Sequence, residues 1–596
     1  MKNKNLVKYT SKDFNSIRAD LQEHARIYYP DSYRDFSENS FGSYVVDTVA
    51  YVGDMLSFYL DFQVNESFLE TSLDYDNVRK LARNAGYKFY GRPASYGMAS
   101  LYVVVPAATT GLGPDSSLLP LLKTGSEFRS TSNTSFVLTE DVDFSNSKNE
   151  VVPATFDQTT GAPLSYAIRA YGQVKSSVSF VNEVSVGNFE RFKRVKVGNS
   201  TISSIISVID SEGHEYYEVE DLSQEVIYVN TTNPSAANDG VRNILKPKIV
   251  PRRFVVMQDS SGTYLQFGYG SDDESTVTDI LDPSQVSLKM TGKNYITDKA
   301  FDPSKLLDTN TLGVAPTNTT LRIIFEANES DSVNVAAGNL NIVSATNMVF
   351  PNQSTTTSIY KGTVRASLEV SNDKPIVGNT SLPSSEEIRY RSYAAKSSQN
   401  RAVTSNDYEA YIYLMPPNLG SVKRASIVND PSASNRRLSI YVMSEDQNSN
   451  LIKSNDTIKH NLKTWLNKSK MMNDQIDIYD AIILNLGFDY EMIVHPTRDK
   501  TEVLNEVNMR LKKYLSEKMY IGESFYLINV YNVINKTPGV IDTTKVVPNL
   551  KVGSDYSSPV VSLQEIKSSD GTYLRAPRNV IFEIKNFNAD IRGSAI

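Results

Sequence analysis

Apolar positions near the start of the chain follow a helical period. Thr10-Ser11-Lys12-Asp13 is a capping-box-like start, and Phe14, Ile17, Leu21, Ala25 and Tyr28 follow at helical spacing. Tyr29-Pro30-Asp31 ends this helix, because proline cannot continue it. A second helix is predicted from about Ser40 to Val64. Val46, Val49, Gly53, Leu56 and Leu60 lie along one side of it. Tyr44, Val45, Tyr51, Val52, Phe58 and Tyr59 extend the apolar surface well beyond one stripe, while Asp47, Asp54 and Asp61 recur every seven residues as a narrow polar line. A helix apolar nearly all round needs cover on most sides. Either helices of other chains complete a bundle around it, or an internal helical domain of this chain does. Gly53 sharpens the question: a mid-helix glycine costs about 0.5–1 kcal/mol against alanine and marks close backbone approach. A third helix carries Val78, Leu81, Ala82 and Ala85, with Gly86 as its C′ residue.

From about Tyr96 to Pro383 the chain is rich in Ser, Thr, Asn, Gly and Val and has few helical periods. Strands are predicted at Leu101–Val105, Glu127–Arg129, Ser135–Leu138, Val195–Val197, Val226–Val229, Arg253–Val256 and Leu321–Phe325. Turn signals such as Ser260-Ser-Gly262 and Thr110-Gly-Leu-Gly113 separate them. One or two β-domains follow. No fixed-period repeat is present, which argues against a β-helix or a propeller.

Helical pattern returns at Ser384-Ser-Glu-Glu387, which leads into Ile388, Tyr390, Arg391, Tyr393, Ala394 and Ala395. Thr404-Ser-Asn-Asp407 caps a second short helix through Tyr408, Tyr411 and Ile412, and Met415-Pro416-Pro417 stops it. Further on, Leu438–Val442 is a strand, Ser454 or Asn455 caps a helix, and Ile476–Tyr479 is a second strand. Leu484, Leu486, Phe488, Tyr490, Met492 and Val494 alternate strictly and share one side of a third strand. The next helix turns Val503, Val507, Leu511 and Leu515 inward and pairs Glu506 with Arg510 outside. A short helix, Val530–Ile534, precedes the strand Val540-Ile541. The order βαββαβ is that of a ferredoxin-like domain. A further strand pair, including Val580–Ile584, lies in the tail. The fold class is therefore multidomain α+β: an N-terminal helical segment over 1–95, β-rich domains over 96–383, a helical linker over 384–436, a ferredoxin-like domain over 437–547 and a β extension over 548–596.

Length fits this count, since 596 residues correspond to about three to five domains. Hydrophobic residues at 40% and charged residues at 22% describe a folded chain that buries large cores. The formal net charge of −7 disfavours a non-specific phosphate-backbone binder, so no nucleic-acid partner is expected. No run of 18 apolar residues exists, so no membrane insertion is expected. The lysine-containing N-terminus lacks an apolar stretch, so no signal peptide is expected either. Zero cysteines remove disulfides, thiol nucleophiles and Cys-ligated zinc, and fit a protein made in a reducing cytoplasm. Thirty-five tyrosines against one tryptophan suit wet interfaces as well as β-surfaces.

The chain carries no H-E-x-x-H, P-loop, G-x-S-x-G or EF-hand loop. Gly268-Tyr-Gly270 lacks a third glycine and reads as a turn. Asp272-Asp273-Glu274 is a Ca²⁺ chelator or, with more weight, a solvated loop tip. Asp141 and Asp143 would share a strand face, as a glycosidase pair or as ordinary surface acids. His495, before Pro496, reads as structural. Arg191, Lys193, Arg194 and Lys196 with Phe189 and Phe192 are a single-strand nucleic-acid surface or, better, a solvated strand face. Arg252 and Arg253 carry the same two readings.

Several segments, in colinear order, resemble a known family. They are Tyr9-Thr-Ser-Lys-Asp-Phe14, Glu70-Thr-Ser-Leu-Asp-Tyr-Asp-Asn-Val-Arg-Lys-Leu-Ala82, Ala85-Gly-Tyr87 and Gly91-Arg-Pro-Ala-Ser95. Gly213-His-Glu-Tyr-Tyr-Glu-Val-Glu-Asp-Leu222 and Leu265-Gln-Phe-Gly-Tyr-Gly270 follow, then Asn400-Arg-Ala-Val-Thr-Ser-Asn-Asp-Tyr408, Ile521-Gly-Glu523 and Pro538-Gly-Val540. Together they are similar to the baseplate wedge protein of contractile-tailed bacteriophages, of the baseplate J-like class. The resemblance implies a structural virion subunit of the tail baseplate, assembled in the host cytoplasm, with no catalysis, metal or cofactor. It implies a pair of copies joined with another wedge protein in a core helical bundle. It also implies C-terminal domains that link neighbouring wedges into a ring around the hub, which widens on sheath contraction. Partners would be a second copy, other wedge proteins, and the hub and sheath-initiating proteins.

On that reading Val46, Val49, Gly53, Leu56 and Leu60 form the seam against partner helices. Arg401, Thr404, Asp407 and Tyr408 support the fold or a subunit contact, with Arg401 and Asp407 as an ion pair between the short helices or as exposed charges. The alternative is a β-rich tail adhesin or a polysaccharide-degrading tail protein, which would show regular β-repeats or clustered carboxylates.

Overall fold

The computed structural model describes residues 13–29, 40–88, 92–108, 113–198, 202–232, 243–259, 261–270, 312–350, 358–399, 401–429, 437–553, 555–557 and 561–596. Thr10 to Lys12, Pro30, Gly91, Thr110, Ser260, Asp272 to Glu274 and Asn400 lie outside them, with the expectations attached to those positions.

Helix α1 spans Phe14–Tyr28 and is capped by Asp13, which exchanges hydrogen bonds with Ser16 in a capping box. Helix α2 spans Phe41–Glu66, capped by the Ser40 side chain. Helix α3 spans Tyr75–Asn84, and Gly86 after it has φ +93°, the left-handed conformation expected of a C′ glycine. The C-terminus of α2 is fastened to the start of α3 by one carboxylate. Glu66 accepts from the Ser72 hydroxyl at 2.7 Å, the Leu73 N–H at 2.6 Å and the Asn77 amide at 3.0 Å. Val78 and Ala82 of α3 then pack with Tyr87 on Ile388. This contact ties α3 to the helix Ser385–Ser398.

Among the described residues the β-rich region carries two seven-stranded sheets with separate cores, besides a two-stranded and a three-stranded one. In the first, Tyr96–Pro106 runs antiparallel to Pro163–Lys175, with Tyr96 opposite Lys175 and Pro106 opposite Ser165. The strands Leu340–Ala345 and Glu369–Ser371, late in sequence, return to this sheet. The second sheet is drawn from strands between Val178 and Ala327, so its domain is inserted within the first. Leu101, Val103, Phe128, Phe136 and Ile168 fill the first core, and Val208, Phe254, Leu265, Phe267 and Ile323 the second. Each predicted strand lies within an observed one. The helix Ser358–Ala366 and the long strand Pro163–Lys175 were not apparent in the apolar spacing.

The C-terminal elements appear in the βαββαβ order, and their pairing divides them between two sheets. Arg437–Glu445 pairs parallel with Gln475–Asp480 across the helix Asp456–Leu466. Ile482–Val494 enters a different sheet immediately after Ala481. The reason is edge occupancy. One edge of Ile482–Val494 is taken by Val540–Leu550, antiparallel, and the other by Val580–Glu583 and Ile591–Ala595, parallel. No edge remains for the first sheet, so the chain's last strands complete the second one. The alternating set Leu484 to Val494 is buried at its core.

Candidate functional site

The apolar helix predicted near the N-terminus is the most unusual surface of the molecule. Ser43 and Ala50 of α2 are buried, and Asp47, Asp54, Ser57 and Asp61, spaced four and three apart, are half-buried beside them. Along this mainly polar line α1 docks. Arg18 reaches Asp47 Oδ1 with Nε at 2.6 Å and donates to the Ser43 hydroxyl at 3.3 Å. The apolar remainder of α2 is left uncovered: Tyr44, Val45, Val49, Tyr51, Val52, Leu56, Phe58, Tyr59, Leu60 and Phe62 are all exposed, Leu56, Phe58 and Tyr59 by 56–58%. The chain therefore covers the polar line of this helix and exposes the apolar face, the reverse of an ordinary surface helix.

The five predicted seam residues do not share one environment. Val49, Leu56 and Leu60 are exposed, Val46 is half-buried, and Gly53 faces α1. A Cβ at Gly53 would lie 3.2 Å from Ile17 Cδ1. The close approach that Gly53 permits is thus with the chain's own α1, which corrects the expectation that it meets a partner helix. The spacing identified a close contact; it held no information on which helix supplies it.

The second predicted group is a folding motif. Thr404 caps the helix Ser405–Tyr413, and Asp407 returns the bond in a capping box, accepting from the N–H of Thr404 at 2.8 Å and of Val403 at 3.2 Å. Tyr408 is buried and donates to Asp474 Oδ2 at 2.6 Å. Arg401 is exposed and reaches Gln399 Oε1 at 3.5 Å, so the expected Arg401–Asp407 ion pair is replaced by the cap. Once Asp407 serves two backbone donors at the helix start, its carboxylate is already satisfied.

The chemical candidates resolve as structural groups. Asp141 holds Lys123 at 2.7 Å and the Thr124 N–H at 2.9 Å, and the Lys123 bond keeps its carboxyl below the ordinary range. Asp143 is bound by Ser145. Each carboxylate thus closes its own turn. The His495 ring pairs with Thr497 through Nδ1, at 2.8 Å. The basic run lies on its own sheet, with Arg191 over the Tyr269 ring, Lys193 on Glu190 and Arg194 on Gln266. Arg253 is buried and donates to the carbonyls of Leu222 and Val250. Gly268 abuts the Gly313 carbonyl where Gly270 pairs with Val314, a bridge between two distant segments in place of the expected turn. Among the described residues, no group of three or more His, Cys, Asp or Glu is placed to hold a metal ion, and no helix is long and apolar enough to cross a membrane.

A buried charge cluster was not foreseen. Glu387, at the start of the helix Ser385–Ser398, bonds Arg424 at 2.6 Å. Glu445 bonds Lys518 at 2.9 Å and accepts from the Ser381 N–H at 2.6 Å. Arg424 also donates to the carbonyls of Lys518 and Met519, and its guanidinium sits 4.5 Å from the Tyr520 ring centroid. The cluster locks the segment after the helix Lys500–Leu515 onto the linker helix. Its members are too far apart in sequence for spacing to reveal them; only the Ser384–Glu387 cap was legible.

Comparison with known proteins bears on the helical segment. Residues 13–84 match the family model described as bacteriophage baseplate protein, N-terminal domain. No curated protein matches the chain. A chain from the cryo-EM structure of the anti-feeding prophage (AFP) baseplate, 6-fold symmetrised, aligns over 95% of this chain and 90% of that one, at 8% identity and TM-score 0.25. That superposition is too loose to carry an argument. The matched stretch holds α1, α2 and α3, the elements that expose the apolar helix face, and it supports a structural protein of a phage baseplate.

Proposed function

We propose that this chain is a wedge subunit of the baseplate of a contractile phage tail, and that α2 is its assembly surface. One observation carries the reading: α2 exposes eleven large apolar side chains, Phe41 among them, while α1 covers its polar line. Exposed apolar surface of this extent marks an interaction site. The occupants are helices of other wedge chains, a second copy among them, which bury Val49, Leu56 and Leu60 together with Tyr51, Phe58 and Tyr59. Hub and sheath-initiating proteins are further partners. The C-terminal sheets join neighbouring wedges into a ring, assembled in the host cytoplasm, that rearranges on contraction. The role is structural, without catalysis.

The test is co-expression of the full chain with the other tail proteins of the same phage, followed by size-exclusion chromatography and mass measurement. The reading expects a complex containing at least one further tail protein, lost in Leu56→Asp/Phe58→Asp. A chain that elutes alone at 66.4 kDa in the presence of every tail protein contradicts it.

A further inference from the structure

Beside the buried charge cluster lies a cavity of about 50 Å³, room for a few waters or one small oxyanion. Its lining brings together Lys88, Arg391 and Lys423 with Tyr87, Thr380 and Ser381, and includes no carboxylate. Four cations, Arg391, Lys423, Arg424 and Lys518, stand among four carboxyl groups: Glu409 and Glu583 in the wider field, and the bonded carboxylates Glu387 and Glu445. Those carboxylates are committed elsewhere: Glu387 to Arg424 at 2.6 Å, Glu445 to Lys518 at 2.9 Å. The two cations that line the cavity are left with looser contacts. Arg391 is 3.7 Å from Glu387, bonds Tyr87 and lies 4.0 Å from the Tyr413 ring centroid, and Lys423 is 3.9 Å from Glu387 and 3.8 Å from Glu445. The shortest bond of Lys423 is to the neutral Ser381 hydroxyl, at 2.7 Å. Its side chain is buried, with 7% exposed. Glu409 and Glu583 are held above their ordinary range by burial. Burial, together with the nearby Arg424 and Arg391, also holds the Lys423 ammonium below its ordinary range against the pull of Glu387 and Glu445.

We infer that this cavity is a binding site for a small oxyanion, a phosphate or carboxylate group, held by Arg391 and Lys423 with hydroxyl donors around it and Lys88 at its mouth. Buried cations whose counter-charges stand at 3.7–3.9 Å lack a direct charge-assisted bond, and an oxyanion supplies one to both. The site stands apart from the α2 surface and does not depend on the assembly reading.

Thermal unfolding of the full chain, titrated with inorganic phosphate or acetate against sodium chloride of matched ionic strength, tests it. A ligand of the native state raises the midpoint in a saturable way. The expected result is a rise with phosphate, acetate or both beyond the chloride control. A phosphate response assigns a free oxyanion, and an acetate response alone assigns a carboxylate supplied by a protein side chain. Lys423→Met abolishes the response. Lys88→Gln, at a half-exposed side chain whose ion pair with Glu220 is also exposed, keeps the chain folded and weakens binding several-fold relative to its own unliganded midpoint, so it decides the matter if Lys423→Met does not fold. No response beyond chloride, or a wild-type response in Lys88→Gln, overturns the inference.

Discussion

Arg18 Nε lies 2.6 Å from Asp47 Oδ1, and this pair sets which face of α2 the chain keeps for itself. Asp47 belongs to the polar line with Asp54 and Asp61, so the docking of α1 there leaves the aromatic and aliphatic face outward. Leu56→Asp or Phe58→Asp should therefore change the stability of the free chain by no more than about 0.5 kcal/mol, the range of ordinary surface substitutions. Association with other tail proteins should be lost. Denaturant midpoints and co-elution measure the two effects separately, and a large loss of stability in the free chain would show that the face is covered internally.

Gly53→Leu acts on the other side of the same helix. The new side chain meets Ile17, already 3.2 Å from where a Cβ would stand. Overpacking of this kind costs about 1–3 kcal/mol. The cost falls on the docking of α1, so hydrogen exchange over Phe14–Tyr28 should accelerate while the β-domains keep their protection. Unchanged exchange in α1 would place the close approach elsewhere.

The motif around residue 404 separates its members cleanly. Thr404→Ala removes an N-cap and should cost about 0.5–2 kcal/mol. Tyr408→Phe leaves the buried Asp474 without its 2.6 Å donor and should cost about 1–3 kcal/mol. Arg401→Glu touches neither bond and should stay within about 0.5 kcal/mol of wild type. Urea denaturation of the three variants measures this order; a large effect of Arg401→Glu would restore the ion pair that the cap replaces.

The buried pair Glu387–Arg424 predicts a pH dependence. Burial opposes ionisation of Glu387, and Lys423, Arg424 and Arg391 outweigh it, so its carboxyl is held below the ordinary glutamate range. A carboxyl with a lowered folded pKa binds fewer protons folded than unfolded. Its stabilisation is fully present above the unfolded value of about 4.3 and is lost as pH falls through the folded one. Glu387→Gln should cost about 3–5 kcal/mol at pH 7, as breaking a buried ion pair does. The gap to wild type should narrow below about pH 4. Urea midpoints of both proteins across pH 3–7 check this, and a constant gap would mean that Glu387 is not charged in the fold.

Local elements were legible wherever the chain's own spacing encodes them. The caps at Ser40, Ser384, Thr404 and Asn455 and the left-handed Gly86 stand where side-chain chemistry placed them, whereas the box of α1 is Asp13–Ser16 and not one ending at Asp13. Partnership across long separations was not. The insertion of one β-domain in another depends on Leu340–Ala345 pairing with Glu127–Ser130, more than two hundred residues away, and strand composition carries no address of that kind. The same holds for Ile591–Ala595 beside Phe488 to Met492, which decides how the C-terminal strands are shared between sheets. At the candidate site the excess of apolar surface on α2 was legible, and the partner of Gly53 was not, because periodicity marks a face and is silent about its occupant.

Whether α2 is an assembly surface is decided most directly by hydroxyl-radical footprinting of Tyr44, Tyr51, Phe58 and Tyr59 in the free chain and in the assembled tail. All four rings are exposed in the single chain and should react readily there. Burial between wedge helices predicts strong protection of these rings on assembly, with the exposed Tyr228 of the inserted β-domain as an internal reference. Equal reactivity in the two states would contradict it.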